Sequence, residues 1–213
     1  MKNRGVLITF EGCEGCGKTT QISFLSENLQ KAQKEIVVTR EPGGTQIGEK
    51  IRHLLIECSD SEQMCPETEL LLFTASRAQL VREVIVPSLR AGKFILCDRF
   101  LDSTTVYQGM ARQLADEPVR TINKFAVGNL MPDLTIVIDI PADESLVRVQ
   151  RRATSFPDRM ERESIDFYSA VREGYLWLAK QYPNRFILVD GLLEAKALSE
   201  VIWQKVKERF LVI

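Results

Sequence analysis

Five short runs dense in Val, Ile, Leu and Phe most restrict how this chain can fold. They are GVLITFE (5–11), EIVVTR (35–40), KFILC (93–97), LTIVID (134–139) and FILVD (186–190). None alternates strictly between apolar and polar residues, as expected of strands covered by helices on both faces. Between them, apolar spacing predicts helices near 18–32, 45–57, 67–91, 103–114, 117–129, 143–153, 161–181 and 195–210. Strands and helices in alternation specify an α/β fold with a mostly parallel sheet. The irregular stretches are REPGGT (40–45), CSDSEQMCP (58–66) and RRATSFPDR (151–159). No repeat or linker divides the 213 residues, so a single domain over 1–213 is expected.

In open parallel sheets, ligands gather beyond the carboxyl ends of the strands. Glu11, Arg40, Asp98-Arg99 and Asp139 all stand at such ends. The first strand runs directly into Gly12-x-x-x-x-Gly17-Lys18-Thr19, which opens a predicted helix. That context is the one a phosphate-binding loop requires. The glycines let backbone N–H groups turn towards phosphate oxygens, and the helix N-terminus adds partial positive charge. Lys18 is placed to neutralise the β- and γ-phosphates, and the Thr19 hydroxyl to ligate Mg²⁺. Gly12, Cys13, Glu14, Gly15, Cys16, Gly17, Lys18, Thr19 and Thr20 are therefore the expected ATP-binding residues.

Cys13 and Cys16 also form a C-x-x-C. A structural zinc site needs four Cys or His ligands, and the chain has one histidine, His53, with Cys58, Cys65 and Cys97 elsewhere. The pair reads as small-residue filler in the loop. A thiol beside a helix N-terminus is nonetheless expected to have a lowered pKa and to oxidise readily, inactivating the protein. The 28 basic and 29 acidic residues give a net charge of −1, without the basic excess of a nucleic-acid or membrane-surface protein. No run approaches a membrane span, and MKNRGVLITFEG is too short in apolar residues for a signal sequence, so a cytoplasmic location is expected.

A GTPase would carry N-K-x-D after a strand, whereas Asn123-Lys124 is followed by Phe125 and Ala126 within a predicted helix. A motor or AAA-type ATPase would be larger. Five segments together resemble bacterial thymidylate kinase: FEGCEGCGKTTQ (10–21), TREPGGTQIGEKIR (39–52), LLFTASRAQ (71–79), DRFLDSTTVYQG (98–109) and DRMERESIDFY (158–168). The resemblance spans nearly the whole chain. It implies a five-stranded parallel sheet flanked by helices, Mg²⁺-dependent transfer of the γ-phosphate of ATP to dTMP, and a homodimer. A kinase for another nucleoside or nucleoside monophosphate and a nucleotide-binding regulator without turnover are the competing readings.

Phosphoryl transfer depends on positioning and charge neutralisation, so arginines must converge on one place. Arg40, Arg77 and Arg99 lie in substrate-side segments; ordinary ion pairing is the alternative for each. Phe73 and Arg77, one helical turn apart, are expected to stack on thymine and to reach a polar group of the same nucleotide. Phe73 could equally belong to the core. Pro42, Gly43 and Gly44 form a tight turn that lets backbone approach the substrate. Asp98 is a candidate for holding Mg²⁺ directly or through water, or for a structural pair with Arg99. Ser103, Thr104, Tyr107 and Gln108 are expected to line the base and sugar pocket. The resemblance implies that Glu14 accepts a hydrogen bond from the deoxyribose 3′-hydroxyl. It also implies a lid at about 148–162. Gly15 occupies the place where other members carry an arginine, so a lid arginine must supply that charge. Arg148 and Arg152 are the favoured candidates, with Arg151 and Arg159 as alternatives. Adenine is expected near 190–193.

Overall fold

A computed structural model describes residues 4–56, 64–152 and 159–211, together with all but the side chain of Arg152. Five strands, β1 (Val6–Glu11), β2 (Ile36–Arg40), β3 (Phe94–Asp98), β4 (Leu134–Asp139) and β5 (Phe186–Asp190), form one parallel sheet in the order β2-β3-β1-β4-β5. All five coincide with the apolar runs to within a residue at each end. The chain leaves β1 towards β2 and later crosses to β4, so β1 is where the winding reverses. Register brings Phe10 and Arg40 opposite Asp98, and Glu11 opposite Val137. The polar strand ends therefore meet at one edge, at the reversal point where such sheets bind ligands.

Both sheet faces are apolar because successive side chains point to opposite sides. Ile8, Phe10, Leu96, Ile136 and Ile138 pack with α1 (Lys18–Lys31) and α9 (Ala195–Phe210). Leu7, Ile95 and Cys97 pack with Leu80, Val81, Ile85 and Leu89 from the helical stretch beginning at Pro66. Val137 joins Val106, Tyr168, Val171 and Tyr175, which brings α8 (Ile165–Gln181) against the far end of that second face.

Two helices depart from regular geometry. The stretch expected over 67–91 is α3 (Pro66–Leu80), a π-helical turn (Val81–Ile85) and α4 (Val86–Arg90). That expected over 103–114 is one short turn, α5 (Leu101–Thr104), continued by a π-helical segment (Thr105–Ala111). Hydrogen bonds from Val86 N to Val81 O and from Arg112 N to Tyr107 O span five residues, the π pattern. The helix expected from 161 begins at Ile165, because Ser164 caps it and accepts from Phe167 N. The other helices, α2 (Gln46–Ile56), α6 (Asp116–Val127) and α7 (Ala142–Arg152), differ from expectation only at their ends. Among the described residues no helix is long and apolar enough to cross a membrane.

Candidate active site

A cleft of about 440 Å³ opens over the carboxyl ends of β1, β2 and β3. One wall is the loop between β1 and α1. Gly12, Gly15 and Gly17 take φ of 134°, 72° and 99°, a path that other residues adopt with strain. Gly15 is required for a second reason. A Cβ there would lie 3.0 Å from Arg148 Cβ and 3.3 Å from Ser145 O, so α7 sits where an arginine at position 15 would begin. Lys18 is buried and folds back over the loop, donating to Gly12 O at 3.1 Å and Cys13 O at 2.9 Å. Thr19 Oγ1 donates to Asp98 Oδ2 at 3.0 Å. The two candidate metal ligands thus meet, and Asp98 is engaged by Thr19 rather than by Arg99.

Glu11, at the end of β1, is fully buried and fastens the turn that follows β3. It accepts from Phe100 N at 2.8 Å, Ser103 Oγ at 2.6 Å and Tyr175 Oη at 2.7 Å. Burial, reinforced by the nearby Asp102 carboxylate, pushes its pKa up to about 7. The turn it holds places Arg99 at φ 67°, which turns the side chain back across the loop. There Arg99 pairs with Glu14, donates to Ser103 Oγ at 3.2 Å and Tyr175 Oη at 3.3 Å, and lies 4.9 Å from the centre of the Tyr107 ring. Glu14 Oε2 also accepts from Tyr107 Oη at 2.8 Å. Burial alone would raise the Glu14 pKa, but Arg99 and Lys18 outweigh it and hold the carboxyl below its ordinary value.

The opposite wall holds Arg40, Pro42, Phe73, Ser103, Thr104, Tyr107 and Gln108, so the sequence reading of this side is largely reassembled in space. Arg40 is parked on Glu49 with both carboxylate contacts at 2.9 Å, and Glu49 also accepts from Gly44 N at 2.8 Å. Thr104 Oγ1 is buried with no hydrogen-bond partner among the described residues, an unusual state for a hydroxyl facing a cleft. Arg77 is the exception. It is 1% exposed and absent from the cleft lining. Its Nε donates to Glu41 at 2.7 Å, Nη1 to Asn123 at 2.7 Å and Nη2 to Phe100 O at 3.2 Å. The ion-pair alternative is the arrangement observed, and Arg77 braces Phe73's helix against the turn carrying Arg99.

Of the lid arginines, Arg148 lines the cleft beside Gly15, held by Glu144 at 2.7 Å and by Gly191 O at 3.1 Å. Arg151 is exposed, and the side chain of Arg152 and residues 153–158 lie outside the described residues. Arg159 turns away from the phosphate loop, towards Glu69 at 2.5 Å and Leu55 O at 3.3 Å. The sequence reading did not assign Arg52, Glu41 or Met160 to the cleft, nor Glu69 and Tyr175 behind it. Glu41 and Arg52 lie within the segment 39–52 and Met160 within 158–168, so these three had a local signal, whereas Glu69 and Tyr175 had none.

The expected reactive thiols are not found. Cys13 and Cys16 are 3% and 2% exposed and pack into the core. Burial, with Cys16 and Glu14 beside it, raises the Cys13 pKa to about 12, overriding the helix N-terminus. Among the described residues no cluster of three His, Cys, Asp or Glu could hold a metal.

A parallel sheet reversing at β1, a glycine loop with a buried lysine and a facing arginine-lined wall define the class: this is a P-loop nucleotide kinase. The family profile described as Thymidylate kinase matches residues 10–212, and the chain belongs to the thymidylate kinase family. It is 48% identical over 205 residues to a thymidylate kinase of Thermoanaerobacter sp. (strain X514), covering 96% of this chain and 98% of the relative. Thymidylate kinases of Caldanaerobacter subterraneus subsp. tengcongensis (47%; 96% of each chain) and Geobacter sulfurreducens (46%; 96% of this chain and all of the relative) are similar.

Two outcomes follow from the local chemistry. Iodoacetamide at pH 8 should label exposed Cys65 in the native protein and react with Cys13 at least about a hundredfold more slowly, read by peptide mass spectrometry. Glu11 keeps its proton up to about pH 7 when folded but loses it around 4.5 in the unfolded chain. The folded state then binds more protons between those values, so the contribution of Glu11 to stability falls as pH rises through that window. Glu11→Gln should therefore flatten the decline in unfolding free energy between pH 5 and 7, measured by urea denaturation.

Proposed function

We propose the following division of labour for the reaction this kinase carries out, transfer of the γ-phosphoryl group of ATP to dTMP, giving ADP and dTDP on the way to dTTP. The observation that carries it is that one cleft joins the phosphate loop to a wall of arginine, aromatic and amide side chains. The backbone of residues 12–20 cradles the ATP phosphates, Lys18 exchanges its loop carbonyls for phosphate oxygens, and adenine lies near 190–193. Arg99 and Arg40 take the dTMP phosphate, exchanging Glu14 and Glu49 for it. Glu14 Oε1 accepts no hydrogen bond among the described residues and is left to take the 3′-hydroxyl. Phe73 stacks on the base, Thr104 Oγ1 and Gln108 meet its edge, and Pro42 closes the side by contact. Arg77 acts behind this wall.

Thr19 and Asp98 present two oxygen ligands 3.0 Å apart, a donor set that suits Mg²⁺, which takes its other ligands from water and phosphate. When bound there, Mg²⁺ would neutralise charge on the β- and γ-phosphates. Residues of about 148–162 act as a lid inserted in the one domain formed by 1–213. Arg148 already reaches the cleft, and Arg152 lies one turn further along the same helix. Closure excludes water, which otherwise competes with dTMP for the phosphoryl group. Exposed Ile47, Leu54, Leu71 and Phe125 lie on α2, α3 and α6, where α3 packs against both other helices, and they support a homodimer. The free cysteines among the described residues support a reducing, cytoplasmic setting, and the net charge of −1 offers no basic excess for nucleic acid or a membrane surface.

A coupled assay with dTMP, dUMP, dCMP and AMP tests the reading: dTMP should give the highest kcat/KM, and a preference for AMP would overturn it. Arg148→Gln and Arg152→Gln separate the lid roles. Loss of the arginine that meets the transferred phosphoryl group should lower kcat by about 10³-fold or more while KM for dTMP changes only a few-fold.

A further inference from the structure

Behind the acceptor wall, a buried carboxylate has no role in the reading above. Glu69, in the first turn of α3, is 1% exposed and outside the cleft. It is paired with Arg159 at 2.5 Å and Arg112 at 3.4 Å, and Arg112 also pairs with Glu163 at 2.5 Å. Its Oε1 accepts from Gln108 Nε2 at 2.6 Å. Gln108 is itself 1% exposed, yet it lines the cleft. Among the described residues nothing donates to its Oε1.

A side-chain amide can turn either end towards a ligand, and the choice is made by its other partners. A carboxylate held between two guanidinium groups can only accept. Gln108 must therefore direct its NH₂ at Glu69 and its carbonyl oxygen at the cleft. The reverse orientation would set oxygen against oxygen at 2.6 Å between two buried side chains. We propose that Glu69 is a specificity-determining positioning residue: by fixing the Gln108 amide, it makes the acceptor pocket select a pyrimidine whose ring nitrogen carries a proton. Thymine offers N3–H to Gln108 Oε1. In cytosine N3 is an acceptor, and it would face Oε1 lone pair to lone pair. The pocket then rejects cytosine even with the 5-methyl group in place. The same carboxylate receives Arg159, so the later part of the lid is anchored to the group that orients the base reader. The inference rests on dTMP as acceptor and on Gln108 facing its base.

The test compares dTMP with 5-methyl-dCMP, which keeps the methyl group and changes only the N3–C4 edge. In the wild type dTMP should be strongly preferred; if dTMP is not a substrate, the proposed function fails before this inference is reached. Glu69→Gln leaves a side chain that can donate as well as accept, which frees Gln108 to turn over. The ratio of kcat/KM for dTMP over 5-methyl-dCMP should then fall by about tenfold or more, mostly in KM, since a misplaced hydrogen-bonding edge is worth at least that much. Equal losses for both substrates, with the ratio unchanged, would mean that Glu69 only supports the fold and would overturn the proposal. If Glu69→Gln does not fold, the exchange Glu69→Gln with Gln108→Glu keeps one carboxylate in the cluster and carries the test. A side chain that can only accept then faces the base. The wild-type ratio should persist within a few-fold, and its collapse would overturn the proposal.

Discussion

The site hangs on one buried carboxylate. Glu11 ends the central strand and gathers Phe100 N, the Ser103 hydroxyl and the Tyr175 hydroxyl around its two oxygens. Those contacts tie β1 to the turn after β3 and to α8, elements separated by up to 164 residues. They fix the turn from below, while Arg99 N donating to Phe10 O at 2.9 Å and Arg77 Nη2 donating to Phe100 O at 3.2 Å hold it from its other sides. The carboxylate is in a position where ionisation is costly, and three donors offset only part of that cost. The precision of the phosphate-facing side chains therefore depends on a group that titrates close to neutrality.

The cations of the site share a pattern. Arg99 rests on Glu14, Arg40 on Glu49 and Arg148 on Glu144, while Lys18 rests on carbonyl oxygens. A cleft that must gather several negative phosphates needs several positive groups, which would repel one another when alone. Pairing each with an acceptor keeps the free protein intact and holds each donor close to where it acts. In the division of labour proposed above, binding is an exchange of carboxylate for phosphate, which is cheaper than bringing naked charges together. Glu14 illustrates the point: an acid in an anion loop is tolerable because Arg99 and Tyr107 already engage it.

The sheet and the phosphate loop were legible in the sequence because they are local. A run such as LTIVID declares a strand by its own composition, and Gly12 to Thr19 sets its own backbone path. Asp98 was placed by standing directly after a strand and Thr104 by sharing a helical face with Tyr107 and Gln108, and both line the cleft. What escaped was whatever depends on distant partners. Arg77 looks like its neighbour Phe73 in a helical projection, yet Glu41 and Asn123 draw it behind the wall. Cys13 has the spacing of a reactive thiol, and only its packing against Tyr168 and Val171 shows why it is inert. Glu69 is one acid among many in the chain, and nothing near it in sequence announces Gln108, Arg112 or Arg159 as its companions. Helix ends were misplaced for a related reason, since a serine cap at Ser164 outweighed the helix propensity of residues 161–163.

The π-helical segment Thr105–Ala111 carries a further consequence. A wider turn rotates successive residues by less than the regular helix does, so Tyr107 and Gln108 sit side by side facing the cleft while Val106 still enters the core. Removing one residue from it would let the regular helix form with the downstream part nearly in register, because fewer residues turning further each sweep about the same angle, but Tyr107 and Gln108 would no longer sit side by side at the cleft. Local helical regularity here stands opposed to the side-by-side placement of Tyr107 and Gln108 at the cleft.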